Sequence, residues 1–386
     1  MSDKFNKKWL VSLTAILLFL AGVLASCSSG SAYNTATPTP TTSTITLAST
    51  PATAVPATSQ PVSLNGAGAT FPAPLYTKWF SEYAKLTGIE INYGAVGSGS
   101  GINQITVGTV DFGASDGIMT DAQITTAQDA FGSILHIPMT MGPVAIVYNL
   151  PGIGIEQIKL SGEVLANIYL KKIQKWNDPV IAMLNPGTAL PDTAIAVVHR
   201  SDGSGTTYIF TNYLSKVSPD WVSQVGNATS VNWPGDIGGQ GNAGVAAQVQ
   251  QTPGAIGYVE LAYAIQNNMK FAQLKNSSGN YISPSLTSAS KAADGVTLPD
   301  DMKVMITNSS NPTAYPIVGF TWILVYQNQT DKVKGQELVD MLWWAIHDGQ
   351  QYSNALNYPT LPAGAVTKAE AEIRSIEYQG QPLLNK

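Results

Sequence analysis

Stretches rich in strand-forming residues repeatedly end in short loops of glycine, serine, threonine and aspartate and then give way to helical periodicity, and that recurrence restricts the folded part of this chain to an α/β architecture. The first unit has a strand near Val62–Leu64, a Gly-Ala loop through Ala69 and a helix over about Pro72–Thr87. Leu75, Trp79, Tyr83 and Leu86 fall on one face of that helix. The second places Ile89, Ile91 and Tyr93 on a strand, then Gly97-Ser98-Gly99-Ser100-Gly101, with a helix expected from Ile102. A short strand Asp111–Ala114 ends in Ser115-Asp116. Later the strand Ile195–Val198 leads through His199-Arg200-Ser201-Asp202-Gly203-Ser204-Gly205-Thr206 to a helix that turns Ile209, Phe210, Tyr213 and Leu214 inward. The polar residues thus gather where strands hand over to helices, the edge at which open α/β sheets bind ligands.

The chain has 386 residues, and its length beyond Pro61 suits two lobes, each a mainly parallel sheet flanked by helices. Before Pro61 the pattern differs. Residues 1–26 read as an export signal, with Lys4, Lys7 and Lys8 ahead of an apolar run from Trp9 to Ala25 that is short for a membrane span. Residues 27–60 are rich in Ser, Thr, Ala and Pro and carry no charge, so they cannot bury a core and are expected to act as a tether. A tract of roughly 33 such residues spans about 30 Å as a coil and at most ~110 Å extended. Net charge is −5, and loss of the signal makes the chain more acidic, which disfavours nucleic acid as a partner.

Arginine occurs only as Arg200 and Arg374, while lysine supplies the remaining side-chain positive charge. Arg374 lies in a plain helical surface context. Arg200 precedes a helix start, and a guanidinium fork there binds a tetrahedral oxyanion bidentately. Helix N-termini add unpaired N–H groups and a partial positive charge. Thr70, Ser98, Ser204 and Thr206 add hydroxyl donors near such starts. Each loop alone is compatible with an ordinary turn or N-cap; their recurrence beside Arg200 points to an anion site. Asp202 is placed either to pair locally with Arg200 or to orient it toward ligand.

The segments Asn65–Pro74, Gly97–Gly101, Asp111–Asp116 and Arg200–Thr206 resemble the substrate-binding protein of the bacterial phosphate ABC importer, supported by Ile168–Leu170, Lys175-Trp176 and Pro253–Val259. The similarity runs from about Leu64 to the last helices. It implies a two-lobed, type II periplasmic-binding-protein fold with the ligand cleft between lobes. Lobe I would comprise 61–137 and 315–386, and lobe II 138–314. It implies an extracytoplasmic protein that captures inorganic phosphate through Thr70, Phe71 (largely its backbone N–H), Ser98, Asp116, Arg200, Ser204, Gly205 and Thr206 and delivers it to a permease and its ATPase. His199 stands where relatives often carry another residue. Leu24-Ala25-Ser26-Cys27 resembles a lipoprotein box, which makes Cys27, the sole cysteine, the anchor to the outer face of the cytoplasmic membrane. A monomer without cofactor or metal is expected.

Asp116 set against an anion selects by protonation. Phosphate near neutral pH keeps a P–OH that can donate to a carboxylate, whereas sulfate has no proton and meets an acceptor with an acceptor. The competing role for Asp116, capping a helix near Thr120 or Ala122, is better filled by Asp121.

Two other readings of the same site remain. A surface phosphatase would use Ser98 or Ser204 as nucleophile, yet neither has an evident base nearby in sequence. A sulfate or molybdate receptor conflicts with Asp116. His136, His199 and His347 are scattered without metal-ligand spacing. Trp343 and Trp344 suggest a sugar or partner platform, but their spacing with Val339, Leu342 and Ala345 favours a buried helix.

Overall fold

Each strand of the first third ends at a small residue and feeds a helix, as the loop composition requires. The computed structural model describes residues 62–384 apart from 155, 156 and 236. The expected signal 1–26, the tether 27–60 and Cys27 lie outside the described residues. The chain begins β1 (Ser63–Gly68), α1 (Ala73–Thr87), β2 (Glu90–Gly94), α2 (Ser98–Thr106), β3 (Phe112–Ser115), α3 (Asp121–Phe131) and the long strand β4 (Ile134–Tyr148). There follow β5 (Lys159–Leu160), α4 (Gly162–Tyr169), α5 (Pro179–Leu184), β6 (Ala196–Arg200), α6 (Gly205–Val217), α7 (Pro219–Gln224), β7 (Ile237–Gly239), α8 (Gly241–Gln251), β8 (Ala255–Glu260) and α9 (Leu261–Gln266). The last part contains β9 (Lys270–Phe271), β10 (Gln273–Lys275), β11 (Tyr281–Ile282), α10 (Leu286–Ala293), β12 (Val318–Tyr326), α11 (Lys332–Ile346), α12 (Ala363–Arg374), β13 (Glu377–Tyr378) and β14 (Gln381–Pro382).

The main sheet runs β2-β1-β3-β12-β4-β8-β6-β7. Its two ends are parallel trios, β2-β1-β3 and β8-β6-β7, because crossover helices return the chain to the same edge. The middle is antiparallel: β12 pairs with β3 and β4, and β8 with β4. The sheet is therefore more mixed than strand composition suggests. β12, VGFTWILVY, is buried throughout, and a continuous apolar run does not encode the direction of its neighbour. β4 serves both ends, pairing with β12 over residues 134–143 and with β8 over 144–148.

In α1, Leu75, Tyr76, Trp79, Phe80 and Tyr83 are buried, each such apolar side chain contributing on the order of 1.5–3 kcal/mol. Leu86, expected on that face, is 67% exposed. It lies in the last turn, before Gly88 ends the helix in the left-handed conformation. The cap of α3 is Thr120, reciprocally bonded with Gln123, rather than the expected Asp121. The tryptophan segment is core-facing through Val339, Met341, Leu342 and Ala345. Its half-buried indoles serve packing: Trp344 lies 5.5 Å from Tyr83, and the Arg374 guanidinium 4.7 Å over Trp343.

Candidate anion-binding site

Three helix starts and two strand ends converge in the cleft. α2 begins at Ser98, four residues earlier than the helical periodicity indicates. The glycines following Gly97 belong to its first turn, and they are there for proximity. A Cβ on Gly101 would lie 2.5 Å from the Cα of Gly68 at the end of β1. That close seating brings the Ser98 hydroxyl beside Asp116, the residue after β3. Ser98 Oγ accepts the N–H of Asp116 at 3.3 Å and that of Gly205, at the start of α6, at 2.9 Å.

Arg200 is the last residue of β6, its side chain 1% exposed. Its backbone N–H donates to Tyr258 at 3.1 Å. Its Nε and Nη2 grip Asp202 Oδ1 and Oδ2 at 2.7 and 2.5 Å, leaving Nη1 directed at Thr206 Oγ1, 3.4 Å away. Asp202 also accepts the Gly241 N–H at the start of α8, at 3.0 Å. Ser204 caps α6, accepting from the Thr207 N–H at 3.0 Å. Gly205 faces Asp116 so closely that a Cβ would come within 2.5 Å of both its N and its Oδ2.

The parts of the chain on either side of β4 touch directly here. Gly99 N–H reaches Gly203 O at 2.9 Å. Asn242 Nδ2 donates to Thr70 Oγ1 at 2.9 Å and Thr206 Oγ1 at 3.2 Å, and Tyr263 OH to Thr70 O at 2.6 Å. A cleft of about 320 Å³ adjoins this junction, with Thr70, Val96, Asp202, Gln240 and Tyr263 in its wall.

Thr70, Ser98, Asp116, Arg200, Ser204, Gly205 and Thr206 are thus brought together, with Asp202 on Arg200. The Phe71 side chain is fully buried, and its carbonyl accepts from Tyr358 OH at 2.7 Å. Its ring therefore belongs to the core. His199 stacks on Trp233 at 4.9 Å and its Nδ1 lies 3.0 Å from Arg200 O. Among the described residues no group of three or more His, Cys, Asp or Glu is placed to hold a metal ion.

Sequence reasoning passed over Asn242, Tyr263, Glu260 and Thr321. Asn242 had a signal, since Gly239-Gln240-Gly241-Asn242 is another strand-to-helix handover. Glu260 ends β8 and caps α9 through Oε2, which accepts the Ala262 N–H at 2.7 Å. Its backbone N–H orients Asn242 by donating to Oδ1 at 2.9 Å. Burial pushes the Glu260 carboxyl well above its ordinary range.

The two carboxylates nearest Arg200 differ in charge state. Burial raises Asp116 to about 7, against the lowering effects of the Thr321 hydrogen bond, Arg200 and Ser98. Burial acts on Asp202 in the same sense, but Arg200 and the Gly241 N–H outweigh it and hold the group below its usual value.

A two-ended sheet with its polar site where both parallel trios meet defines the periplasmic-binding-protein class, and a family model described as "PBP superfamily domain" matches residues 55–339. In the phosphate-binding protein PstS of Xylella fastidiosa strain 9a5c, 44% of residues are identical over 312, covering 80% of this chain and 84% of that protein. PstS of Pasteurella multocida is 45% identical over 317 residues, covering 82% and 91%, and that of Methanocaldococcus jannaschii 38%, covering 76% and 81%. The chain belongs to the PstS family of phosphate-binding proteins. Among solved structures, a high-affinity periplasmic phosphate-binding protein (PfluDING) bound with phosphate shares the fold at 23% identity and TM-score 0.65, covering 80% of this chain and 93% of that one. A human phosphate-binding apolipoprotein does so at 21% and 0.66, with the same coverage.

Proposed function

We propose that this protein captures inorganic phosphate outside the cytoplasm and delivers it to an ABC importer. The observation that carries the proposal is the buried Arg200 fork, fixed by Asp202 and aimed past Thr206 between the starts of α2 and α6. Arg200 supplies charge, the backbone N–H groups of Phe71, Ser98 and Thr206 and the nearby hydroxyls supply directed donors, Gly205 lets the start of α6 approach the site closely while its N–H is held by Ser98, and Asp116 supplies the acceptor that phosphate can satisfy and sulfate cannot. Membership of a binding-protein family leaves the phosphatase reading without support. Ser204 Oγ is engaged in capping, and Ser98 Oγ accepts two backbone N–H bonds.

In this reading lobe I (61–137 and 315–386) carries Thr70, Phe71, Ser98 and Asp116, and lobe II (138–314) carries Arg200, Ser204, Gly205 and Thr206. The handover of β4 from β12 to β8 between Pro143 and Val144 supports a hinge a few residues beyond that boundary. Ligand held by both lobes favours the closed state, since only there are all donors engaged. The closed monomer docks on the permease, and a lipid on Cys27 keeps it at the outer face of the membrane.

Calorimetric titration with phosphate and sulfate tests the reading. At a pH where Asp116 is ionised, wild type binds phosphate tightly and sulfate not at all, and Asp116→Asn narrows the gap. Equal affinity of wild type for the two anions defeats it, and turnover of a chromogenic phosphate ester would revive the phosphatase. Replacement of Cys27 by serine is expected to move the protein from the membrane fraction to the soluble fraction.

A further inference from the structure

β12 is buried along its whole length, and apart from the Tyr326 hydroxyl at its end and the Trp322 indole, which donate to the carbonyls of Ile105 and Met302, its one polar side chain is that of Thr321. A buried hydroxyl in such a strand is costly unless its proton has an acceptor. Here the acceptor is Asp116, 205 positions earlier in the chain: Thr321 Oγ1 donates to Oδ1 at 2.8 Å. The register of β12 against β4 shifts between Thr321 and Trp322, and Trp322 is paired with Ser115, the neighbour of Asp116. Strand irregularities of this kind re-aim a side chain.

The two carboxylate oxygens of Asp116 are thereby distinguished. Oδ1 is bonded to Thr321, while Oδ2 faces Gly205 at the start of α6, within 2.5 Å of where a Cβ there would be. We infer that Thr321 is a specificity-determining positioning residue: it fixes Oδ1 so that Oδ2 alone is presented to the anion, as an acceptor. The inference rests on the phosphate reading above and assigns its selectivity to a pair of residues rather than to Asp116 alone.

The other ionisable groups around Asp116 do not perform this task. Arg200 is committed to Asp202 through two of its nitrogens. Burial pushes the Glu260 carboxyl well above its ordinary range, and the tyrosines Tyr76, Tyr93, Tyr263 and Tyr358, also pushed upward by burial first, stay neutral near pH 7. The Tyr76 hydroxyl, buried on α1, lies beside Thr321 and Asp116 but makes no hydrogen bond of good geometry among the described residues. Thr321 is left as the side-chain donor on Oδ1, and the Ser98 hydroxyl, the other hydrogen-bonding side chain beside this carboxyl, lowers it less than Thr321 does. Without it the ionised carboxyl loses a donor and takes up its proton at higher pH, and a protonated Asp116 donates and so admits sulfate.

The test compares Thr321→Val with Thr321→Ser, measuring phosphate and sulfate affinity by calorimetry from about pH 6 to about pH 9, beside the Asp116 carboxyl titration by infrared difference against Asp116→Asn. Val is expected to lower the phosphate-to-sulfate affinity ratio about tenfold or more and to move both the onset of sulfate binding and the carboxyl midpoint to higher pH. Ser, which keeps the hydroxyl, is expected to stay within about threefold of wild type. Thr321→Ala takes the place of Val if that variant does not fold. A wild-type ratio and pH profile in the hydroxyl-free variant, or a Ser variant indistinguishable from it, overturns the inference. Failure of wild type to bind phosphate would instead reject the functional reading, and an unshifted carboxyl midpoint would still count separately against Thr321.

Discussion

Asp116 follows β3 at one end of the sheet and Asp202 follows β6 at the other, and both are influenced by the charge of Arg200, yet they are opposite in character. Asp202 receives two charged N–H bonds and the Gly241 amide and is held ionised. Asp116 receives the Thr321 hydroxyl on Oδ1 and has the Ser98 hydroxyl beside it, but no charged donor bonds it, and burial dominates, raising it to about 7. A buried carboxylate is inert when its donors match its charge and responsive when they fall short. The site holds one of each, and in the proposed function Asp202 would fix the cation that gives affinity while Asp116 would test whether the anion carries a proton.

The comparison breaks most completely at Arg200. Arg200→Met leaves Asp202 half-buried without its cation. It is expected to destabilise the protein by about 3–5 kcal/mol in urea unfolding and to weaken phosphate binding roughly 1000-fold by calorimetry. Asp116→Asn has the reverse effect on stability. A carboxyl raised from its ordinary value to about 7 stabilises the fold fully only below its unfolded value, and that contribution is lost as pH rises through about 7. The Asn variant is therefore expected to be more stable than wild type at about pH 8, by roughly 2–4 kcal/mol in urea melts without ligand, while admitting sulfate. Equal stability at both ends of the pH range would show that Asp116 is not the strained partner.

Asn242→Ala removes the amide that touches Thr70 and Thr206 together. A cost of about 1–3 kcal/mol in stability is expected, with phosphate affinity down about tenfold and the phosphate-to-sulfate ratio unchanged. Asp202→Asn is the smallest change. Lost orientation of Arg200 and relief of a negative charge near the anion oppose each other, so affinity should stay within about tenfold of wild type and sulfate should remain excluded. A gain of sulfate binding in this variant would erase the division of labour between the two aspartates.

Much of the site was legible because its parts are local. Helix starts, their glycines, the capping serine and the Arg200-Ser201-Asp202 turn each complete themselves within a few residues, so type and spacing announce them. The start of α2 at Ser98 was hidden because glycines that serve close packing look like a loop until the neighbouring strand end is known. The antiparallel centre and the division of β4 between two partners were hidden because buried strands read as uniform apolar runs.

The amino-acid sequence alone determined the α/β class and the clustering of anion-type donors at helix starts, since these follow from backbone geometry and side-chain type over short spans, and its resemblance to the phosphate importer's binding protein singled out Asp116. Only the tertiary structure decided how that carboxylate is tuned and how the cleft is closed. Thr321 reaches Asp116 across 205 residues of chain, and Asn242 reaches Thr70 across 172. The physical reason is that a charge state depends on burial and on the donors that folding brings alongside, and neither exists until distant strands have paired.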